Sequence, residues 1–198
     1  SAVIQGCIES GKSWMNGGAK YNFVGLQALG PATTADSLTA LKKLIYEDKK
    51  VTAEEYYDAL TKNWEGYERL YMFVNSEKVP HYGNDDDYAD EMMQYVFDSY
   101  ANLLQSYPPT HGIHKIRTGS FSQVINVIFG MAVGATPDGR KHREAISANI
   151  DPARTVVSNR DRSGPTALAR SIGKLDHAKA GCGTLVNYKF GVDTISGE

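Results

Sequence analysis

The sequence predicts an α/β protein whose first half is dominated by helices. Three features carry that expectation: helical spacing of apolar residues between 36 and 106, a β-rich run at 120–129, and a second short apolar run from Leu185 to Phe190. In chain order, Gly11, Gly17, Gly18, Gly25 and Gly30 mark residues 11–30 as a glycine-rich loop. Asp36, or a neighbouring threonine, is placed to cap a helix that carries Leu38, Leu41, Leu44 and Ile45 at helical spacing. Thr52-Ala53-Glu54-Glu55 has the form of a capping box and opens a second helix, with Tyr56, Leu60 and Trp64 on one stripe and Gly66 ending it. A short helix is expected within 67–79. His81 to Asp87 reads as a polar turn whose aspartates sit at the N-terminus of a longer helix. That helix buries Ala89, Met92, Met93, Val96, Tyr100, Leu103 and Leu104, and Pro108-Pro109 stops it. Further on, 120–129 is expected as a buried strand and Thr136-Pro137-Asp138-Gly139 as a turn. Gly164-Pro165 starts a helix with Leu168, Ile172 and Leu175 inward, and Leu185 to Phe190 is expected as a last strand.

Composition excludes several function classes. The chain has 198 residues, 41% apolar and 22% charged, with a formal net charge of −2. This is the balance of an ordinary soluble domain, without the basic field that nucleic acid or an anionic membrane would call for. The longest apolar run, Val124 to Val133, is broken by Asn126 and Gly130 and is too short to span a bilayer. No charged-then-apolar leader is visible, so a cytoplasmic location is expected. Cys7 and Cys182 lie far apart without metal-site spacing and are expected as reduced thiols, although sequence leaves a disulfide between them open. Both ends of the chain look cut from something longer.

The most informative chemistry lies in Gly6-Cys7-Ile8-Glu9. In an extended or loop segment, side chains two apart point the same way, so Cys7 and Glu9 are expected to face one small cavity as a sulfur reactant and an acid/base. A free cysteine is equally at home as a small buried apolar side chain, so the tetrapeptide alone leaves both readings open. Other clusters favour plainer roles. Asp85-Asp86-Asp87 lacks the alternating spacing of a calcium loop and fits a solvated helix cap. His111 and His114 have no third metal ligand nearby and read as loop histidines. Arg140-Lys141-His142-Arg143 reads as a solvated or ion-paired loop rather than a grip on an anionic substrate. Residues 11–30 lack both the P-loop ending and the dinucleotide fingerprint.

In order along the chain stand Gly6-Cys7-Ile8-Glu9, Gly17-Gly18-Ala19-Lys20-Tyr21-Asn22-Phe23, Asp36-Ser37-Leu38 through Leu41-Lys42-Lys43-Leu44, and Tyr82-Gly83-Asn84-Asp85-Asp86-Asp87. They are followed by Gly134-Ala135-Thr136-Pro137-Asp138-Gly139-Arg140, Gly164-Pro165-Thr166-Ala167, Lys174-Leu175-Asp176 and Asn187-Tyr188-Lys189-Phe190. This series resembles the glycyl radical enzymes of the pyruvate formate-lyase and glycerol dehydratase-like superfamily. The resemblance implies a thiyl radical on Cys7 that abstracts a substrate hydrogen atom, with Glu9 as the acid/base. It implies a partial barrel domain over 1–198, cut from the family's ten-stranded α/β barrel of two half-barrels. It also implies a small-molecule substrate, no bound cofactor or metal, a homodimer at full length, and a partner radical-SAM activase that installs a glycyl radical.

The departures from the family pattern are as specific. The chain has no Arg-Val-x-Gly-Tyr type motif to store the radical, and the family's N-terminal half is absent, so an internal fragment that does not turn over alone is expected. Ile8 stands where pyruvate formate-lyases have a second cysteine, and Ser10-Gly11 where diol-cleaving members commonly have proline. The Gly-Gly-Ala-Lys-Tyr-Asn stretch is nearer the hydroxyproline dehydratase and arylacetate decarboxylase branches, and a dehydratase is the preferred expectation. The competing expectations are a non-catalytic half-barrel module for binding or assembly, and a thiol hydrolase.

Overall fold

A computed structural model describes residues 2–108, 115–122, 124–154 and 160–188. It opens on one helical turn, α1 (Cys7–Ser10), then a 3-10 turn at Trp14–Asn16 and strand β1 (Phe23–Gln27). Helix α2 (Pro31–Leu41) follows, continued by a π-helical stretch at Lys42–Glu47, then α3 (Ala53–Thr61), α4 (Glu68–Val74) and the long α5 (Asp87–Ser106). Strand β2 (Lys115–Gly119), α6 (Ile125–Ala132), α7 (Gly164–Gly173) and a 3-10 turn at His177–Lys179 complete the described elements. The two strands pair in parallel, Phe23 opposite Lys115 and Gln27 opposite Gly119. The structure is therefore mixed α/β and helix-rich in its first half, as expected, with one two-stranded parallel sheet among the described residues.

Two apolar cores organise the helices. Ala32 and Ala35 of α2 face Met93 and Phe97 of α5 and Leu168 and Ile172 of α7 in the first. Because both α2 residues are alanines with no exposed surface, the backbone of α2 lies close against α5. The second core gathers Ala40, Leu44, Tyr56, Ala59, Trp64, Tyr71, Val74 and Val79. In it Trp64 meets Tyr56 edge-on at 5.8 Å and Tyr71 at 5.7 Å between ring centroids. The Thr52 capping box forms as expected, with Glu55 N donating to Thr52 Oγ1 at 3.1 Å and Thr52 N to Glu55 Oε2 at 2.9 Å. Asp86 caps α5 through Tyr88 N, while Leu103, expected inside, is exposed.

Several expectations need correction. Asp36 does not cap α2: Gly30, with φ +75°, precedes Pro31 at the first turn, and Asp36 lies mid-helix and fully buried. The described residues of 120–129 do not form the expected buried strand: Ser120 makes an isolated bridge to Thr184, and from Ile125 the chain is helical. The segment coils into α6, held by Asn126, whose carbonyl accepts from Ile146 N at 3.3 Å and whose Nδ2 donates to Ile146 O at 3.3 Å. Val124, Ile128 and Met131 are left exposed. Residues 185–188 form no strand either. Leu185 N donates to Ser120 O at 3.1 Å, which extends an isolated parallel bridge between Ser120 and Thr184, and Lys189 and Phe190 lie outside the described residues. Finally, β1 arises inside the stretch expected as a glycine-rich loop. There Gly25 and, on β2, Gly119 leave room for the Cys182 side chain, whose Sγ would sit 2.5 Å from a Cβ on Gly25.

The second half has few regular elements and is held by buried polar side chains instead. Arg140, expected in a solvated or ion-paired loop, is 1% exposed. Its guanidinium donates to the carbonyls of Glu144 at 2.7 Å, Lys141 at 3.0 Å and Val133 at 3.2 Å, and also to Gly134 O. A sequence pattern cannot reveal this, since the partners are backbone groups of a loop. A second chain of contacts starts at Asp36, whose Oδ1 accepts from Tyr82 N at 2.8 Å while Oδ2 faces His81 Nδ1 at 3.6 Å. His81 Nε2 lies 2.9 Å from Arg160 Nη1 and 3.0 Å from the carbonyl oxygen of Val74, so the ring sits between the two. Arg160 also donates to Asp138 O, and Asp138 N donates to Ser37 Oγ at 3.4 Å, closing the loop onto α2. Burial pushes the Asp138 carboxyl up, and the Arg160 charge opposes it.

The aspartates before α5 make a third junction. Lys174 Nζ reaches Asp87 and Asp90 at 2.7 Å and Asp85 at 3.1 Å, and Arg170 reaches Asp85 at 3.1 Å. The cluster is thus an ion-paired clasp between α5 and α7 as well as a cap.

Asp36→Ala removes the acceptor for the buried Tyr82 amide and the carboxylate facing His81. It is expected to lower unfolding free energy by about 1–3 kcal/mol in urea denaturation. The acid limb of stability has a separate source. Hydrogen bonds from Lys174 and then Arg170 hold the Asp85 carboxyl below its ordinary 3.8. The stabilisation is therefore present above that ordinary value and lost as pH falls through the lower folded one. Between about pH 5 and pH 3 the urea midpoint is expected to fall less in Asp85→Asn than in the parent chain.

Candidate functional site

The Cys7 turn is built by glycines. Gly6 precedes α1 with φ +97°, a conformation that side chains rarely adopt, and a Cβ there would lie 2.6 Å from Lys20 N and 2.9 Å from Gly18 O. Gly11, with φ +63°, ends the turn. The close approach docks α1 on the 17–20 loop, where Lys20 N donates to Gln5 O at 2.8 Å. Gly18 is equally constrained, since a Cβ on it would meet Lys12 O at 2.1 Å. The segment expected to be a plain glycine-rich loop is therefore the platform that carries the cysteine.

This turn changes the geometry expected of the Cys7–Glu9 pair. In an α-helical turn, residues two apart lie about 200° apart around the axis rather than side by side. Cys7 is 4% exposed, whereas Ile8 and Glu9 face outward. The Glu9 carboxylate folds back on its own turn, Oε2 accepting from Gly6 N at 3.1 Å. Among the described residues the two side chains do not converge on one cavity, and Glu9 serves as a helix cap. The period-two reasoning failed because it assumed an extended backbone. The Gly6 and Gly11 bracket was the available signal for a turn.

Cys7 and Cys182 are both free thiols, which removes the disulfide. Cys182 packs over the β1–β2 pair, its N donating to Thr118 O at 2.9 Å. Burial pushes its thiol up, and the nearby Arg117 charge draws it the other way. A cleft of about 340 Å³ lies elsewhere, lined by Glu77, His81, Asn84, Arg160, Arg162 and Ser163. Its floor is the buried His81–Arg160 contact that sequence reading missed. Those groups are engaged with each other and with backbone carbonyls, so they act as a strut. Among the described residues, no three histidine, cysteine, aspartate or glutamate side chains cluster to hold a metal, and no helix is long and apolar enough to cross a membrane. His111 and His114 lie outside the described residues.

Residues 1–130 match the family model described as pyruvate formate lyase-like. The chain is 42% identical over 197 residues to a (2S)-3-sulfopropanediol dehydratase of Klebsiella oxytoca, covering 100% of this chain and 24% of that protein. It is 40% identical over 198 residues to a trans-4-hydroxy-L-proline dehydratase of Clostridioides difficile, again covering 100% of this chain and 24% of the relative. Among solved structures it resembles the glycerol-bound B12-independent glycerol dehydratase of Clostridium butyricum. That match has a TM-score of 0.86 at 36% identity, and covers 93% of this chain and 23% of that one. The chain thus spans about a quarter of the length of these relatives. The family match, the identity across the whole chain and the shared fold agree: this chain belongs to the pyruvate formate lyase-like family of glycyl radical enzymes.

Proposed function

We propose that this chain is the cysteine-bearing segment of a glycyl radical dehydratase, and that Cys7 carries the thiyl radical that starts the reaction. One observation carries the reading: the family's cysteine is a free, shielded thiol at the head of a turn bracketed by two left-handed glycines. A dehydratase is favoured because the two relatives at 42% and 40% identity are both named for dehydrations. Their substrates, a sulfonated diol and a hydroxylated imino acid, share a hydroxyl on a small polar skeleton. We infer a substrate of that class.

The glycyl radical of this family supplies the unpaired electron to the cysteine, and the motif that bears it is not in this sequence. Every other step is assigned to side chains of the chain and to the substrate. Cys7 takes a hydrogen atom from a substrate carbon, forming S–H and leaving a carbon radical. Glu9 takes the proton of the heteroatom on that carbon, the hydroxyl of a diol or the ring N–H of a hydroxylated imino acid, which drives out the hydroxyl on the neighbouring carbon. Glu9 returns the proton to that leaving group, which departs as water. The product radical then recovers the hydrogen atom from Cys7, so the cycle is redox-neutral. Shielding of Cys7 serves this chemistry by keeping water and oxygen from the sulfur. For its role Glu9 must leave Gly6 N, and giving up one exposed hydrogen bond costs about 1 kcal/mol, which substrate binding readily offsets.

The test uses a full-length polypeptide containing this chain, activated anaerobically by a radical-SAM activase. Cys7→Ala is expected to retain the organic radical in electron paramagnetic resonance and to lose all turnover of diols and hydroxyproline. Retained turnover would sink the assignment. Glu9→Gln is expected to keep the radical signal and to lower kcat by about 100-fold or more, the scale of a lost general acid/base. An unchanged kcat would leave Glu9 as a helix cap alone.

A further inference from the structure

We infer that Ser10 is a positioning residue that latches the Cys7 turn to the 17–20 platform. The inference rests on the reading of Cys7 as the reacting group, and it gives a role to a residue that the sequence marked only as a departure from the family pattern. Ser10 ends α1, with its hydroxyl between two carbonyls, 3.1 Å from Gly18 O and 3.4 Å from the carbonyl of Cys7 itself. A serine hydroxyl has one proton to donate, and the shorter contact makes Gly18 O its acceptor. The bond ties the C-terminal end of the turn to a different loop, eight residues away in sequence.

The platform is rigid enough to serve as an anchor. Gly18 N donates to Ser13 O at 3.0 Å, and the Gly18 Cα lies so close to the Lys12 carbonyl that a Cβ has no room. Asn22 Nδ2 donates to Trp14 O at 3.1 Å and so ties the far end of the loop back to the same 3-10 turn. On the other side of α1, Lys20 N holds Gln5 O, and Glu9 holds Gly6 N. These bonds fix the start of the turn, whereas the Ser10 hydroxyl is the side-chain link from its end to the platform. If Glu9 swings away to move a proton, the N-terminal cap is released, and Ser10 then keeps Cys7 seated. Ser10 touches no reacting atom, so its effect acts through the orientation and shielding of the thiol.

The consequence is read on this chain in air, with no radical required. Each thiol is alkylated with iodoacetamide, and the rates at Cys7 and Cys182 are followed separately by peptide mass spectrometry. In Ser10→Ala, Cys7 is expected to label about 3- to 10-fold faster, the loss of one hydrogen bond in the opening equilibrium, while the Cys182 rate is unchanged. Ser10→Thr keeps the hydroxyl and is expected to restore the parent rate at Cys7. An unchanged Cys7 rate in Ser10→Ala would overturn the latch. So would equal acceleration at both cysteines, which reports general loosening, or failure of Ser10→Thr to restore protection. Because alkylation needs no turnover, the latch can fail while Cys7 remains the radical site, and the radical assignment can fail with the latch intact.

Discussion

The buried chain Asp36–His81–Arg160–Asp138 is the constraint on which the rest of the structure depends. Asp36 sits in the middle of α2, His81 in the turn between α4 and α5, Arg160 just before α7, and Asp138 in the turn after α6. Four segments far apart in sequence thus meet at one string of polar side chains, with almost no water access. Removing one member leaves buried polar groups without their partners, a loss of about 1–3 kcal/mol each against a typical total of about 5–15 kcal/mol. Apolar packing holds α2, α5 and α7 together, but it does not fix where an irregular backbone runs. Directional contacts to carbonyls do that, from Arg160 and from Arg140.

The same division of labour governs the cysteine. Its turn is not held by apolar burial, since Ile8 next to it is 72% exposed. It is held by backbone contacts at two glycines, by the Glu9 cap and by the Ser10 hydroxyl. Such an arrangement orients a thiol while leaving the outer face of the turn open. The exposed apolar side chains of α6, with Trp14, Met15 and Phe23 near the start of the chain, belong to a segment about a quarter the length of its relatives.

Much of this was legible in the sequence, and the limits have physical causes. The Thr52 capping box and the Pro-led start of α7 were readable because caps are local chemistry. The inward stripe of α5 was readable apart from Leu103, because periodicity survives tertiary context. The family was readable because its motifs recur in order. The stretch 120–129 was misread because a short apolar run has no period that separates a strand from a helix. Asp36 was misread because its partners lie 45 and 46 residues away, at His81 and Tyr82. The Cys7–Glu9 pair was misjudged in geometry, since the flanking glycines turn an extended segment into a helical one. Arg140 carried no sequence sign of burial, because what it binds is backbone.

The central claim is that Cys7 exchanges a hydrogen atom, not a proton, with a substrate carbon. The most direct measurement follows a diol or hydroxyproline deuterated at the reacting carbon through turnover by the activated full-length enzyme. Transfer through a shielded sulfur predicts a primary isotope effect on kcat/KM, with deuterium carried back into the product. Complete loss of the label to solvent with no isotope effect would mean an ordinary acid–base elimination, and would contradict the account.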